Sequence, residues 1–205
     1  MSTDVNFKEE LERVKSKLSR TFAENERQEV IKEMRQLEKQ QRATALQVTN
    51  RNLAGTATAW AQCPGLPDFS GSSDVKAVLT IDMGSGDVMP SFDPLETSQS
   101  GRTVRITQNG TGIGHCDFTS GDMDLIVPLH VEVENLPVIG NLARDTVLPL
   151  STHRTVSIPG GTISGAPASS PGNATGTITL VGDVSINIFL FVTAHVQIQI
   201  VGILS

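Results

Sequence analysis

Tyrosine is absent from this chain of 205 residues, tryptophan occurs once, at Trp60, and there are two cysteines, Cys63 and Cys116. Transmembrane β-barrels carry girdles of interfacial aromatics, and a chain without Tyr and with one Trp is poorly equipped to build them. Two cysteines make no disulfide framework, and free thiols are expected where no secretory signal precedes them. No stretch of ~18 consecutive apolar residues occurs, which argues against a membrane-spanning helix. The opening residues Met-Ser-Thr-Asp-Val-Asn-Phe-Lys-Glu-Glu hold no apolar signal core. Cytosolic synthesis is therefore expected, with a place in a particle or a released assembly left open.

Catalytic signatures are missing too. There is no P-loop and no Gly-x-Ser-x-Gly elbow. Gly110-Thr-Gly112-Ile-Gly114 follows a strand and superficially resembles a dinucleotide loop, but the Asp117-Phe-Thr-Ser-Gly-Asp122 that follows is no helix. His115-Cys116-Asp117 sets a thiol beside a base, yet neighbours on a strand point to opposite faces. His115, His130, His153 and His195 are too far apart for metal-ligand spacing. A non-enzymatic protein without a cofactor is expected.

Positive charge is scarce beyond the first fifty residues. Residues 1–50 hold ten Lys/Arg and nine Asp/Glu, whereas residues 51–205 hold six and thirteen, with Lys76 the one lysine. The acidic balance argues against nucleic acid, which needs a basic stripe. The mixed signs of the first segment offer no patch for anionic lipid.

What is present divides the same way. Residues 5–48 lack Pro and Gly, and Phe7, Leu11, Val14 and Leu18 keep a 4-3-4 spacing. A second stripe runs through Val30, Met34, Leu37, Gln41, Thr44 and Val48, out of phase with the first. This spacing predicts a helix with a coiled-coil stripe and a stutter, the alternative being a hairpin of two helices. Oligomerisation is assigned to Phe7, Leu11, Val14, Leu18, Val30, Met34 and Leu37. Residues 49–74, rich in small residues, Pro and Gly, read as a linker held to the following domain by Trp60.

From residue 75 onward the signals are strands and turns. Residues 75–83, 102–108, 123–134, 146–150, 154–158 and 176–181 read as strands, with Pro128 marking an edge or bulge. Residues 164–173 read as a flexible loop by composition. Arg102-Thr-Val-Arg-Ile106 echoes Arg154-Thr-Val-Ser-Ile158, and His130-Val-Glu-Val-Glu134 echoes His195-Val-Gln-Ile-Gln199. A true repeat would give two related β layers; chance similarity is the plainer alternative.

Residues 184–204 alternate apart from Phe189, Phe191, Val201 and Ile203, with Ile186, Ile188, Leu190, Val192, Val196, Ile198 and Ile200 on one phase as the strand core. Such a strand would run roughly 70 Å at about 3.3 Å per residue, as one element or as two collinear ones joined at a bulge. Its opposite phase, including Gln197 and Gln199, is expected to be solvated. Asp82, Asp87, Asp117, Asp122 and Asp124 lie in Gly-containing turns and are weak candidates for calcium, with turn chemistry the simpler account.

The expected fold is α+β, an N-terminal coiled-coil-type helix (1–48) followed by an antiparallel β domain (75–205), sandwich or flattened barrel, with a very long C-terminal strand. The expected function is a structural protein that assembles with itself through that helix and that strand into a homo-oligomer. The alternative is a β-domain binding module for a hydrophobic or lipid ligand, or a membrane-inserting protein.

Overall fold

Strand follows strand along this chain because short alternating runs are cut by Gly and Asp turns. The computed structural model describes Arg13, Lys32 and residues 47–65, 68–99, 101–136, 140–189 and 192–205. The chain divides after Val48 into two units. The second holds β1 (Val48–Gln62), β2 (Phe69–Asp82), β3 (Asp87–Phe92), β4 (Leu95–Gln99), β5 (Arg102–Gln108), β6 (Ile113–Cys116), β7 (Met123–Leu136), β8 (Gly140–Ser151), β9 (Thr155–Ile158), β10 (Gly161–Ser164), β11 (Gly176–Phe189) and β12 (Val192–Leu204).

The expected α+β class is thereby corrected. The second unit is all-β, its one helical element among the described residues being a 3₁₀ turn at Pro171–Asn173; of the first unit's described residues Arg13 and Lys32 are helical, and no coiled coil is present among the described residues. Phe7, Leu11, Val14, Leu18, Val30, Met34 and Leu37 lie outside the described residues. Val48, the last position of the expected stripe, instead opens β1. A helical stripe is a weak constraint in itself, because tertiary packing decides most helix stability. Most of the stretch read as a linker is β1 and the start of β2. Its alternation is hidden because β1 turns Gly55, Ala57, Ala59 and Ala61 inward, all small.

Hydrogen bonds order the main sheet β4-β5-β7-β6-β3-β2-β1-β12-β11-β8, and β7–β8 pairing closes eight of these strands into a ring. β4 pairs with β5 (Leu95↔Ile106) in nearly the register that joins β3 to β6 (Val88↔Gly114). β3–β4 and β5–β6 are therefore two interrupted arms of one long hairpin. Each arm lies next to its chain neighbour, and β12 returns to β1, so the architecture is an up-and-down barrel. Pro128, which has no N–H to donate, sits where β7 passes the break between β5 and β6.

The long last strand is also corrected. β11 and β12 are antiparallel partners, from Gly176↔Leu204 to Phe189↔Val192. Their register sets even against even positions, as at Ile186↔Ala194 and Val184↔Val196. Opposed residues share a face, so the alternation crosses the hairpin without changing phase. Ile186, Ile188, Ile198 and Ile200 are buried inside the barrel as expected, while Val192 and Val196 are half-buried. Leu190 lies outside the described residues.

The two ends of the barrel differ. Residues 166–175 plug one end, the base. Ala166 pairs with Thr179, the Ala168 amide donates to the Gly121 carbonyl at 3.0 Å, and Ala168 and Ala174 are buried in the core. A stretch that reads as flexible by composition is thus a stopper. The internal repeat has no structural counterpart, since β5 belongs to the main sheet and β9 to a separate two-stranded sheet with β10. That small sheet lies over the outer faces of β11 and β12, tied by Arg154 to Asp183 at 2.9 Å.

Candidate functional site

The other end, the tip, is where four hairpins turn: β1–β2, β4–β5, β7–β8 and β11–β12. Their registers place Gln62 beside His195, Leu136 beside Gly140 and Gln99 beside Arg102. Asn135, in the left-handed region at φ 59°, sends its side-chain amide to the Gly101 carbonyl at 3.2 Å and ties two of these tips together. Leu142, Ile188 and Ala194 form a small apolar cluster there, backed by Cys63, Val133 and Leu136.

Toward the tip the barrel is closed less well than at the base. β8 meets β11 in a single ladder pair, Ser151↔Val181, and β2 pairs with β3 along Ala77–Ile81, short of its first half. No ladder joins β2 to β4. The tip half therefore consists of two half-sheets, β2-β1-β12-β11 and β4-β5-β7-β8, facing each other across their inner side chains. Between them lies a cavity of about 120 Å³, its wall including Ala61, Phe69, Val131, Ile186, Ala194 and Ile198. Voids of this order (~150 Å³) with apolar walls stay dry and accept guests of benzene size.

Two charged residues line that wall among the described residues, Arg102 and Arg144. Arg102 shares its phase on β5 with inward Val104 and Ile106, and Arg144 shares its phase on β8 with buried Leu142, Leu148 and Leu150. The Arg144 guanidinium crosses the unladdered junction to β11. Nε donates to the Asn187 carbonyl at 3.1 Å and Nη2 to the Ile188 carbonyl at 3.4 Å, while Nη1 donates to the Ala143 carbonyl at 2.8 Å. No family model, curated protein or solved structure matches this chain.

The outer face is of opposite character. Arg105 reaches Glu96 at 2.9 Å and Glu132 at 3.6 Å, and His130 Nδ1 meets Asp145 at 2.7 Å. The hydrogen bond to Asp145 raises the His130 pKa, and the same bond is the main cause holding the Asp145 carboxyl below its ordinary range. These charges lie on the outer face toward the tip, whereas nearer the base the same face exposes Met89, Ile113, Ile126 and Val147.

The residues singled out from sequence are dispersed. Asp82 Oδ1 accepts from the Gly84 amide at 2.8 Å, and Asp117 Oδ1 from the Thr119 amide at 2.7 Å; that backbone bond lowers the Asp117 pKa. Asp122 accepts from Thr152 Oγ1, and Asp124 lies 3.8 Å from His153 Nδ1. Asp87 pairs across to His115, its amide bonded to Ser85 Oγ. These turns lie at the base, away from the cavity, and no group of three metal-ligating side chains forms among the described residues. Cys116 is buried and its thiol is pushed up to about 11, chiefly by desolvation, which leaves it no thiolate at neutral pH. His195 bonds Ser185 Oγ at 3.1 Å on the outer face. Arg102 and Arg144 were legible as cations on an apolar phase, a signal that the low charge of residues 51–205 made easy to pass over.

Proposed function

We propose that the barrel is a binding protein for a small apolar or amphipathic molecule, taken up at the tip between the two half-sheets. The observation that carries this is the apolar cavity at the weakly laddered end, opposite a stoppered base. Binding sites for small molecules are concave, largely apolar and furnished with a few polar groups, and barrel mouths are among their usual places. The long strand β12 has both edges occupied by β1 and β11, which leaves no free edge there for another subunit.

A neutral naphthylamine dye should brighten with the native protein and saturate near one equivalent. Ala61→Phe, which puts a ring into the cavity, should abolish that signal while the thermal midpoint stays within a few degrees. Cys63 lines the same wall, so bound dye should also slow its alkylation. Absence of saturable binding, or binding indifferent to Ala61→Phe, removes the reading.

Self-association is the second reading, and one observation favours it. Ile113 and Ile126 are opposed on the outer face, with Val147 nearby on β8, and all three are exposed. Exposed apolar clusters of this kind mark contact surfaces. Light scattering over a concentration series should then show a mass above that of one chain, and a constant monomer mass excludes it.

A further inference from the structure

Six Lys/Arg face thirteen Asp/Glu in residues 51–205, so a cation on this barrel has no shortage of carboxylates. Arg105 and Arg154, on outer positions, take them. Arg102 and Arg144 make no ion pair with a described residue, and both stand on inward positions in the wall of the tip cavity. Arg144 is moreover fixed in place by three backbone carbonyls. Carbonyl oxygens orient a guanidinium without cancelling its charge, and two of its five N–H groups stay available. A guanidinium held this way has lost its side-chain freedom before any ligand arrives, which favours a bidentate partner.

An apolar chamber with unneutralised guanidinium groups in its wall has a defined complement. We infer that the cavity takes a single-chain anionic amphiphile, a medium-chain carboxylate, with the alkyl chain parting the two half-sheets at the weakly laddered tip and the carboxylate at Arg144 and Arg102. This rests on the reading of the cavity as a binding site and adds the ligand class to it. The chain supplies buried apolar area and the head supplies charge-assisted hydrogen bonds, which are stronger than neutral ones. Thr146, inward on β8 next to Arg144 in phase, offers the head a further hydroxyl.

The test compares decanoate, decanol and decylammonium as competitors of the neutral dye on the full chain. Decanoate should displace it at about tenfold lower concentration than decanol, and decylammonium should be the weakest. Added salt should narrow the gap, because Arg144 is exposed. In Arg102→Met/Arg144→Met the ratio of decanoate to decanol affinity should fall to about one, read as a ratio because losing the Arg144 bonds to β11 shifts both affinities together. Arg144→Lys, with Arg102 retained, should keep part of the preference. Equal displacement by decanoate and decanol in the wild type, or a preference that survives the double substitution, overturns the carboxylate assignment and leaves the cavity reading standing. No uptake of the dye and no competition by any of the three overturns both. Vesicles of anionic phospholipid that compete where monomeric decanoate does not would assign the site to membrane lipid and overturn the free carboxylate.

Discussion

Ile198→Asp is expected to remove a large part of the protein's stability and to bring the steepest fall in urea midpoint of the changes considered. Ile198 is buried between the half-sheets, opposed to Ala59 on β1 and to Gly182 on β11. No cation lies on those cross-strand positions, so the new carboxylate would be buried unpaired or taken up as the neutral acid. Either route costs about 4 kcal/mol or more, a large part of the ~5–15 kcal/mol that holds a domain together. Gln197, one position along, extends the test to the other face. The alternation makes it a solvated residue, but its exposure is 8% and its Oε1 has no partner among the described residues. It stands between Asp183 on β11 and Trp60 on β1. Gln197→Asp should therefore cost about 3 kcal/mol, from desolvation and from the like charge across the strand. Gln197→Leu should be neutral or stabilising, because it removes a buried acceptor that has nothing to accept. Urea midpoints decide the matter: a mild Gln197→Asp would mean that the outer face of β12 is open to water.

The second large effect is expected at Gly182. A Cβ there would run into the carbonyl oxygen of Pro149, next to the one ladder pair between β8 and β11. The obstacle is backbone on a strand that β7 also holds, so it cannot swing aside as a side-chain tip can. Gly182→Val should cost about 3 kcal/mol by overpacking and should loosen the ring where it is thinnest. Gly161→Val is the control, since Gly161 opens strand β10 with nothing near its would-be Cβ. That change should stay within about 0.5 kcal/mol of the wild type. Equal calorimetric midpoints for the two variants would show that the β8–β11 approach is not a constraint on stability.

The β architecture was legible where one face of a strand meets water. β7 reads correctly because Met123, Leu125, Val127, Leu129 and Val131 keep one phase while Asp124, His130 and Glu132 fall on the other, and β5 has its bounds from the turns around it. β1 is obscured because small inward residues look like linker composition. The β11–β12 hairpin is obscured because its register keeps even residues facing even ones, so no break in phase marks the turn. The candidate site was hidden for a different reason. A cavity is a property of which strands fail to meet, and no periodicity in one strand records the distance to another. Arg144 carries a trace of it, a charge in the phase of Leu142, Leu148 and Leu150, but its meaning depends on the missing ladder with β11.

That missing ladder gives the molecule a stiff end and a compliant one. At the base, parting the walls means stripping β3 from β6, β6 from β7 and β8 from β11, with a packed stopper in the way. At the tip it means releasing the two bonds from Arg144 to β11 and sliding apolar side chains apart, with each net hydrogen bond worth only about 1 kcal/mol. The half-sheets are thus hinged like a clothes peg whose spring sits at the base. Parting the jaws would change no strand's register, which is the freedom the proposed ligand requires.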